Sequence, residues 1–109
     1  MIGLDVGSTT IKCVVLSDAD QIVYQTYERH FSQITAKTVE MLRAVAERFP
    51  AEREWRLAIA GSAGMGMAEF AKVPFVQEVY AAKLAAERNA PGTDCIIELG
   101  GEDAKILFV

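Results

Sequence analysis

The chain holds only two cysteines and a single histidine. Cys13 and Cys95 each sit in an apolar, strand-like run with no Cys or His nearby at metal-ligand spacing, so they read as buried, inert thiols rather than zinc ligands. A reducing compartment leaves little room for a disulfide between them. His30 stands alone at the end of a strand, between Arg29 and Phe31, and reads as a surface or satisfied histidine instead of a catalytic one. Long apolar runs are missing as well. Nothing approaches the roughly eighteen residues that a membrane span requires, and Met1 leads into a strand, not a signal peptide; the expectation is a cytoplasmic protein without membrane contact. Basic charge is sparse and scattered. With 11 Lys and Arg against 15 Asp and Glu, a net charge of −4 argues against nucleic acid as a partner. There is no solenoid repeat and no low-complexity segment.

What is present is a chain of 109 residues, 51% apolar and 24% charged, enough to bury one core. Ile2 to Val6 and Ile11 to Leu16 are apolar on both faces, which predicts central strands covered by helices on either side. After the Asp18-Ala19-Asp20 turn, Ile22 to His30 partly alternates and reads as a strand nearer an edge. Ser32 is the expected N-cap of a helix to Phe49, with Val39, Leu42, Ala46 and Phe49 along its apolar face and Pro50 ending it. Arg56 to Ala60 reads as a short strand. The Gly61 to Gly66 segment turns into a small helix ending near Lys72, and is read as turn chemistry that approaches a ligand. Val73 to Val76 is expected to form a brief buried strand, Glu78 to Asn89 a helix, and Cys95 to Val109 a last hairpin.

Two strand-turn-strand units echo each other. In the first, Gly7, Ser8, Thr9 and Thr10 bring backbone N–H groups and hydroxyls into one small volume, a set suited to phosphate oxygens. Asp5 can hold Mg²⁺ through waters, and Lys12 can reach the same anion. A plain hairpin with Asp5 and Lys12 as surface charges fits the same residues. The Gly-x-x-x-x-Gly-Lys-Ser/Thr spacing of a P-loop is absent, and a strand rather than a helix follows Gly7, so this is not a Rossmann turn. In the second unit, Gly100 and Gly101 permit close backbone approach, while Glu98, Glu102 and Asp103 crowd three carboxylates that a divalent cation would relieve. A solvated acidic turn is the bland alternative.

With both turns in view, the chain resembles the superfamily of acetate kinase, actin, hexokinase and chaperones, whose nucleotide-binding domains are ribonuclease-H-like. Gly3-Leu4-Asp5-Val6-Gly7-Ser8-Thr9-Thr10 with Lys12, and Glu98-Leu99-Gly100-Gly101-Glu102-Asp103-Ala104-Lys105, are similar to the two phosphate motifs of the BadF/BadG/BcrA/BcrD family. Those are the activators of 2-hydroxyacyl-CoA dehydratases and benzoyl-CoA reductases, the CoA-substrate-specific enzyme activases. The resemblance implies an α/β fold with a mixed five-stranded sheet of order 3-2-1-4-5 and helices on both faces. It implies one ATPase subdomain over residues 1–91 and, over 92–109, the opening hairpin of a second, so that the chain is the N-terminal part of a longer protein.

By the same resemblance, Asp5 and Glu98 handle Mg²⁺ and water, with Glu102 beside them near the γ-phosphate. Gly7, Ser8, Thr9, Thr10, Lys12, Gly100, Gly101 and Asp103 hold the nucleotide. The implied whole protein is a homodimer that binds ATP and ADP. Its hydrolysis drives a low-potential electron from a [4Fe-4S] cluster into a partner dehydratase or reductase. Neither Cys13 nor Cys95 matches the cluster ligands, which the family carries further downstream. Glu98 and Glu102 stand where the family usually has Asp and Gln, and either retunes hydrolysis, since phosphoryl transfer depends on positioning and charge. The fragment alone is expected to lack appreciable ATPase activity. A small-molecule kinase of the same superfamily, or a non-enzymatic nucleotide-responsive module, would share both phosphate motifs.

Overall fold

The structure is a computed structural model and describes residues 1–92, 94–99 and 104–108. The chain separates into two compact units, Met1–Phe75 and Val76–Val109. The first unit contains β1 (Ile2–Val6), β2 (Thr10–Leu16), β3 (Ile22–Arg29), α1 (Ile34–Arg48), β4 (Leu57–Ala60) and α2 (Met65–Ala71). The second contains α3 (Glu78–Asn89) and the strands β5 (Cys95–Leu99) and β6 (Ala104–Phe108).

Short turns force β1, β2 and β3 into successive antiparallel pairs, as the sequence predicts. At the β2–β3 turn Asp20 takes φ 60, a left-handed conformation that a short polar side chain tolerates, and the Asp20 N–H donates to the Ser17 carbonyl at 2.9 Å. The long excursion through α1 then returns the chain parallel to β1, giving a four-stranded sheet of order β3-β2-β1-β4. These are the first four places of the expected order. The fifth is occupied within this unit by one residue, since Phe75 makes a single parallel bridge to Ile59 and the expected Val73 to Val76 strand goes no further. Pro74 explains the economy: it has no N–H to give a ladder, although its carbonyl accepts from Ile59 N–H at 3.0 Å.

Strand alternation puts Ile2, Leu4 and Val6 on one face with Val15, Cys13 and Ile11 as their cross-strand partners. These six residues, with Ile59 of β4, form the buried core that Met41 and Val45 of α1 and Ala68 of α2 complete. Each such aliphatic side chain contributes about 1.5–3 kcal/mol when removed from water. At the far end Phe49, just past α1, meets Tyr24 and Trp55 edge to face, with ring centroids 6.3 and 5.9 Å apart.

Two expectations for α1 change. Its buried stripe is Thr38, Met41 and Val45, with Leu42 and Phe49 alongside, while Val39 is 42% exposed. The helix is apolar over two adjacent stripes at three- and four-residue spacing, so periodicity alone does not choose between them. Ser32 is not its cap. Gln33 occupies that position without a side-chain hydrogen bond, and Ser32 itself lies at φ 64. In the second unit, α3 covers the expected residues, and β5 and β6 pair antiparallel from Cys95↔Phe108 to Leu99↔Ala104.

Candidate phosphate-binding hairpins

The parallel strands β1 and β4 end side by side, and the C-terminal edge of parallel strands is where open α/β sheets receive ligands. Asp5 lies on the face opposite the core. Its register partners are Ala60 on β4 and Lys12 on β2, and Lys12 is in turn opposite Tyr27 on β3. The Lys12 ammonium is 3.7 Å from Asp5 Oδ2 and 5.5 Å from the Tyr27 ring centroid. Both charged side chains are about half exposed, at 52% and 46%, so the pair contributes only about 0–1 kcal/mol and leaves Lys12 free to turn toward an anion.

Past Val6 the hairpin closes with the Gly7 N–H donating to the Thr10 carbonyl at 2.8 Å. No residue from Gly7 to Thr10 has a positive φ, so the turn is not one of the primed types that two-residue hairpins favour. Space around Gly7 is tight: a Cβ there would stand 3.3 Å from the Thr10 carbonyl oxygen, close enough that the neighbour would have to give by a few tenths of an ångström. Ser8 and Thr9 are exposed, and their N–H groups bond to no other described residue. Ser8, Thr9 and Thr10 thus bring three hydroxyl-bearing residues to one turn.

A second loop walls Asp5 from the β4 side. Gly61 has φ 102, and a Cβ on it would lie 2.3 Å from the Val6 carbonyl oxygen and 2.6 Å from Asp5 Oδ1. Gly64 is equally confined, 2.6 Å from Ile59 Cγ2 and 2.7 Å from the Ala60 oxygen by the same measure. The Ala63 N–H donates to the Val6 carbonyl at 2.9 Å, fastening the loop to the end of β1. The Gly61 to Gly64 turn thus belongs beside the Asp5 carboxylate. The signal for it was a glycine pair between a strand and a helix; the contact itself joins positions far apart in sequence.

The β5–β6 hairpin repeats the register of the first. Glu98 pairs with Lys105 as Asp5 pairs with Lys12, an acid at position i opposite a lysine at i+7 in both. Leu99↔Ala104 corresponds to Val6↔Ile11 as the last pair before the turn. The register singles out Lys105, to which the sequence alone assigns no role. Gly100, Gly101, Glu102 and Asp103 lie outside the described residues.

No protein-family model matches the chain. It is 28% identical over 109 residues to an uncharacterized protein of Methanocaldococcus jannaschii, covering all of this chain and 43% of that one. It is 22% identical over 108 residues to the (R)-2-hydroxyglutaryl-CoA dehydratase activating ATPase of Acidaminococcus fermentans, covering 99% of this chain and 42% of that protein. Two solved structures superpose on the whole chain. The A. fermentans (R)-2-hydroxyglutaryl-CoA dehydratase component A does so with TM-score 0.74 at 23% identity over 42% of its length. The activator of 2-hydroxyisocaproyl-CoA dehydratase from Clostridium difficile, solved with bound ADPNP, does so with TM-score 0.78 at 24% identity over 40% of its length. The chain has the fold of the dehydratase activators. The resemblance read from Gly3 to Lys12 and from Glu98 to Lys105 leads to the same proteins, and the chain spans about two fifths of the activators it matches.

The thiols differ from expectation in one respect. Cys13 is fully buried beside Leu4, but Cys95, at the start of β5, is exposed. An apolar run of Cys-Ile-Ile suggests burial without showing which residue begins the strand. Burial pushes the Cys13 thiol above its usual pKa, because a thiolate there would lose its hydration. A thiol reagent is therefore expected to modify one group per folded chain quickly, Cys95, and Cys13 only after unfolding. The same shift gives stability a sign with pH. The folded state holds the Cys13 proton more tightly, so this contribution is whole below the unfolded thiol's pKa and is lost as pH rises through the folded value. Two fast equivalents in the native protein would contradict the buried placement.

Proposed function

We propose that this chain is the N-terminal, nucleotide-gripping part of an ATPase that activates an acyl-CoA dehydratase or a benzoyl-CoA-reductase-type enzyme. The observation that carries the reading is the repeated register, acid opposite lysine across a glycine-led turn, in two hairpins far apart in the chain. Each hairpin by itself is a unit suited to the phosphate oxygens of ATP or ADP. In the first, Ser8, Thr9 and Thr10 offer N–H and hydroxyl donors to phosphate oxygens, and Lys12 neutralises their charge at the cost of only a weak surface pair with Asp5. For the second, the family resemblance assigns phosphate contacts to Gly100, Gly101 and Asp103, whose backbone N–H groups can donate, and the hydrolytic role to Glu98 and Glu102, while Lys105 is the counterpart of Lys12.

Mg²⁺ suits this donor set. Asp5 presents one half-exposed carboxylate, and the cradle at Gly61, which a Cβ would fill, leaves its Oδ1 approachable; Mg²⁺ keeps most of its waters and uses one or two carboxylates plus phosphates. When bound, it neutralises charge building on the phosphates. A [4Fe-4S] cluster does not suit the described residues: Cys13 is sealed in the core, and no group of three or more Cys, His, Asp or Glu among them could hold a metal ion. In the whole protein, as the family resemblance implies, hydrolysis in a homodimer delivers a low-potential electron to the partner enzyme from a cluster whose ligands are other residues. Residues 1–91 then correspond to one subdomain and 92–109 to the start of the next.

The test is a titration of the chain with Mg²⁺·ADPNP followed by amide shifts. Saturable shifts are expected at Ser8 to Thr10, and Asp5→Ala is expected to remove their dependence on Mg²⁺. Steady-state hydrolysis is not expected of this chain by itself. Absence of any saturable shift, or binding indifferent to both Mg²⁺ and Asp5, would refute the reading.

A further inference from the structure

His30 is 3% exposed and lies beneath the Gly7 to Thr10 turn. Its Nε2–H donates to the Gly7 carbonyl at 2.9 Å, and its Nδ1 accepts the Ser32 N–H at 3.0 Å. That pair of bonds requires the neutral imidazole with its proton on Nε2. The backbone adds a third tie, as the His30 N–H donates to the Thr9 carbonyl at 3.1 Å. Two carbonyls of the turn therefore point at one residue, and the Gly7 carbonyl is engaged by an imidazole instead of closing the turn.

The consequence follows from peptide geometry. A trans peptide is planar, with its C=O and N–H pointing in opposite directions. Drawing the Gly7 oxygen onto the ring therefore turns the Ser8 N–H away from it, and the Thr9 oxygen is held the same way by the His30 backbone. The arrangement is costly to hold. Phe31 and Ser32 have φ 51 and 64, two successive non-glycine residues in the left-handed region, each costing about 1–2 kcal/mol. That bend is what brings the Ser32 N–H back to Nδ1, and the Gln33 N–H to the His30 carbonyl at 2.8 Å.

We propose that His30 is the positioning residue of the phosphate turn: it holds the Gly7 carbonyl inward and so aims the Ser8 N–H at the anion. This rests on the nucleotide reading for the identity of the anion, but its geometry can be tested without one. Two substitutions separate the ring's two bonds. His30→Asn keeps an acceptor where Nδ1 was and loses the donor to Gly7; His30→Gln keeps a donor where Nε2 was. Amide relaxation of residues 7–10 in the ligand-free chain is expected to show a turn loosened in the Asn variant and close to wild type in the Gln variant. Affinity for Mg²⁺·ADPNP is expected to fall tenfold or more in the first and less than threefold in the second.

An Asn variant with an ordered turn and wild-type affinity would overturn the proposal, as would equal losses in both variants. If wild type fails to bind Mg²⁺·ADPNP, the nucleotide reading falls and the relaxation comparison alone decides the role of His30. Should the Asn variant not fold, the wild-type imidazole ¹⁵N spectrum decides instead. A protected Nε2–H with bare Nδ1 supports the proposal, and a proton on Nδ1 overturns it.

Discussion

Gly61→Ala is expected to lower unfolding free energy by about 3–5 kcal/mol, a large part of the 5–15 kcal/mol typical of a domain. Two costs add. At φ 102 the backbone is in a region that a residue with a Cβ avoids, which costs about 1–3 kcal/mol. The new methyl would also arrive 2.3 Å from the Val6 oxygen and 2.6 Å from Asp5 Oδ1, so either the loop lifts off β1 or the carboxylate rotates away. Lifting the loop breaks the Ala63 N–H bond to Val6, and rotating Asp5 spoils the proposed metal ligand; both routes weaken Mg²⁺·ADPNP binding. The internal control is Gly66→Ala. That glycine is in α2 with nothing within 4 Å of its Cβ position, and the change is expected to be neutral or stabilising by up to about 1 kcal/mol. Urea denaturation of both variants checks the pair. A loss of under 1 kcal/mol for Gly61→Ala would mean that the Gly61 loop does not rest on β1.

The contrast between these two glycines shows where the sequence is informative and where it is silent. The order of strands and helices was legible because β-branched runs, short polar turns and the prolines at 50, 74 and 91 are local signals. The acid-turn-lysine units were legible for the same reason, each being contained in eight residues. Long-range contacts were not. Nothing local says that Gly61 rests on Val6 and Asp5, or that His30 reaches back 23 residues to Gly7; the sequence alone shows a turn that approaches a ligand at the one and a surface or satisfied histidine at the other. The buried stripe of α1 was misplaced because both candidate stripes are apolar; only the sheet beneath it selects Met41 and Val45. The Val73 to Val76 segment kept its place but contracted to Phe75, where Pro74 limits the ladder.

Ile11→Ala joins the core and the site in one measurement. Ile11 is 0% exposed and is the cross-strand partner of Val6, also 0% exposed; together they form the last buried pair before the Gly7 to Thr10 turn. Truncation removes buried apolar volume and leaves a cavity that the sheet cannot collapse into without bending β2, a combination that costs about 2–5 kcal/mol. Ile11→Val, one methylene smaller, should cost about 0.5–1.5 kcal/mol. Because Thr10 and Lys12 flank the position on the same strand, the cavity also removes the floor that fixes their register with Gly7 and Asp5. Affinity for Mg²⁺·ADPNP is therefore expected to drop severalfold in the Ala variant, even at a temperature where it remains folded, and to be nearly unchanged in the Val variant. Thermal unfolding and calorimetric titration of the two variants separate the effects. Lost stability with full affinity would show that the hydrogen bonds from His30 to the Thr9 and Gly7 carbonyls hold the turn without help from the core, whereas a loss of stability below about 1 kcal/mol would place Ile11 outside it.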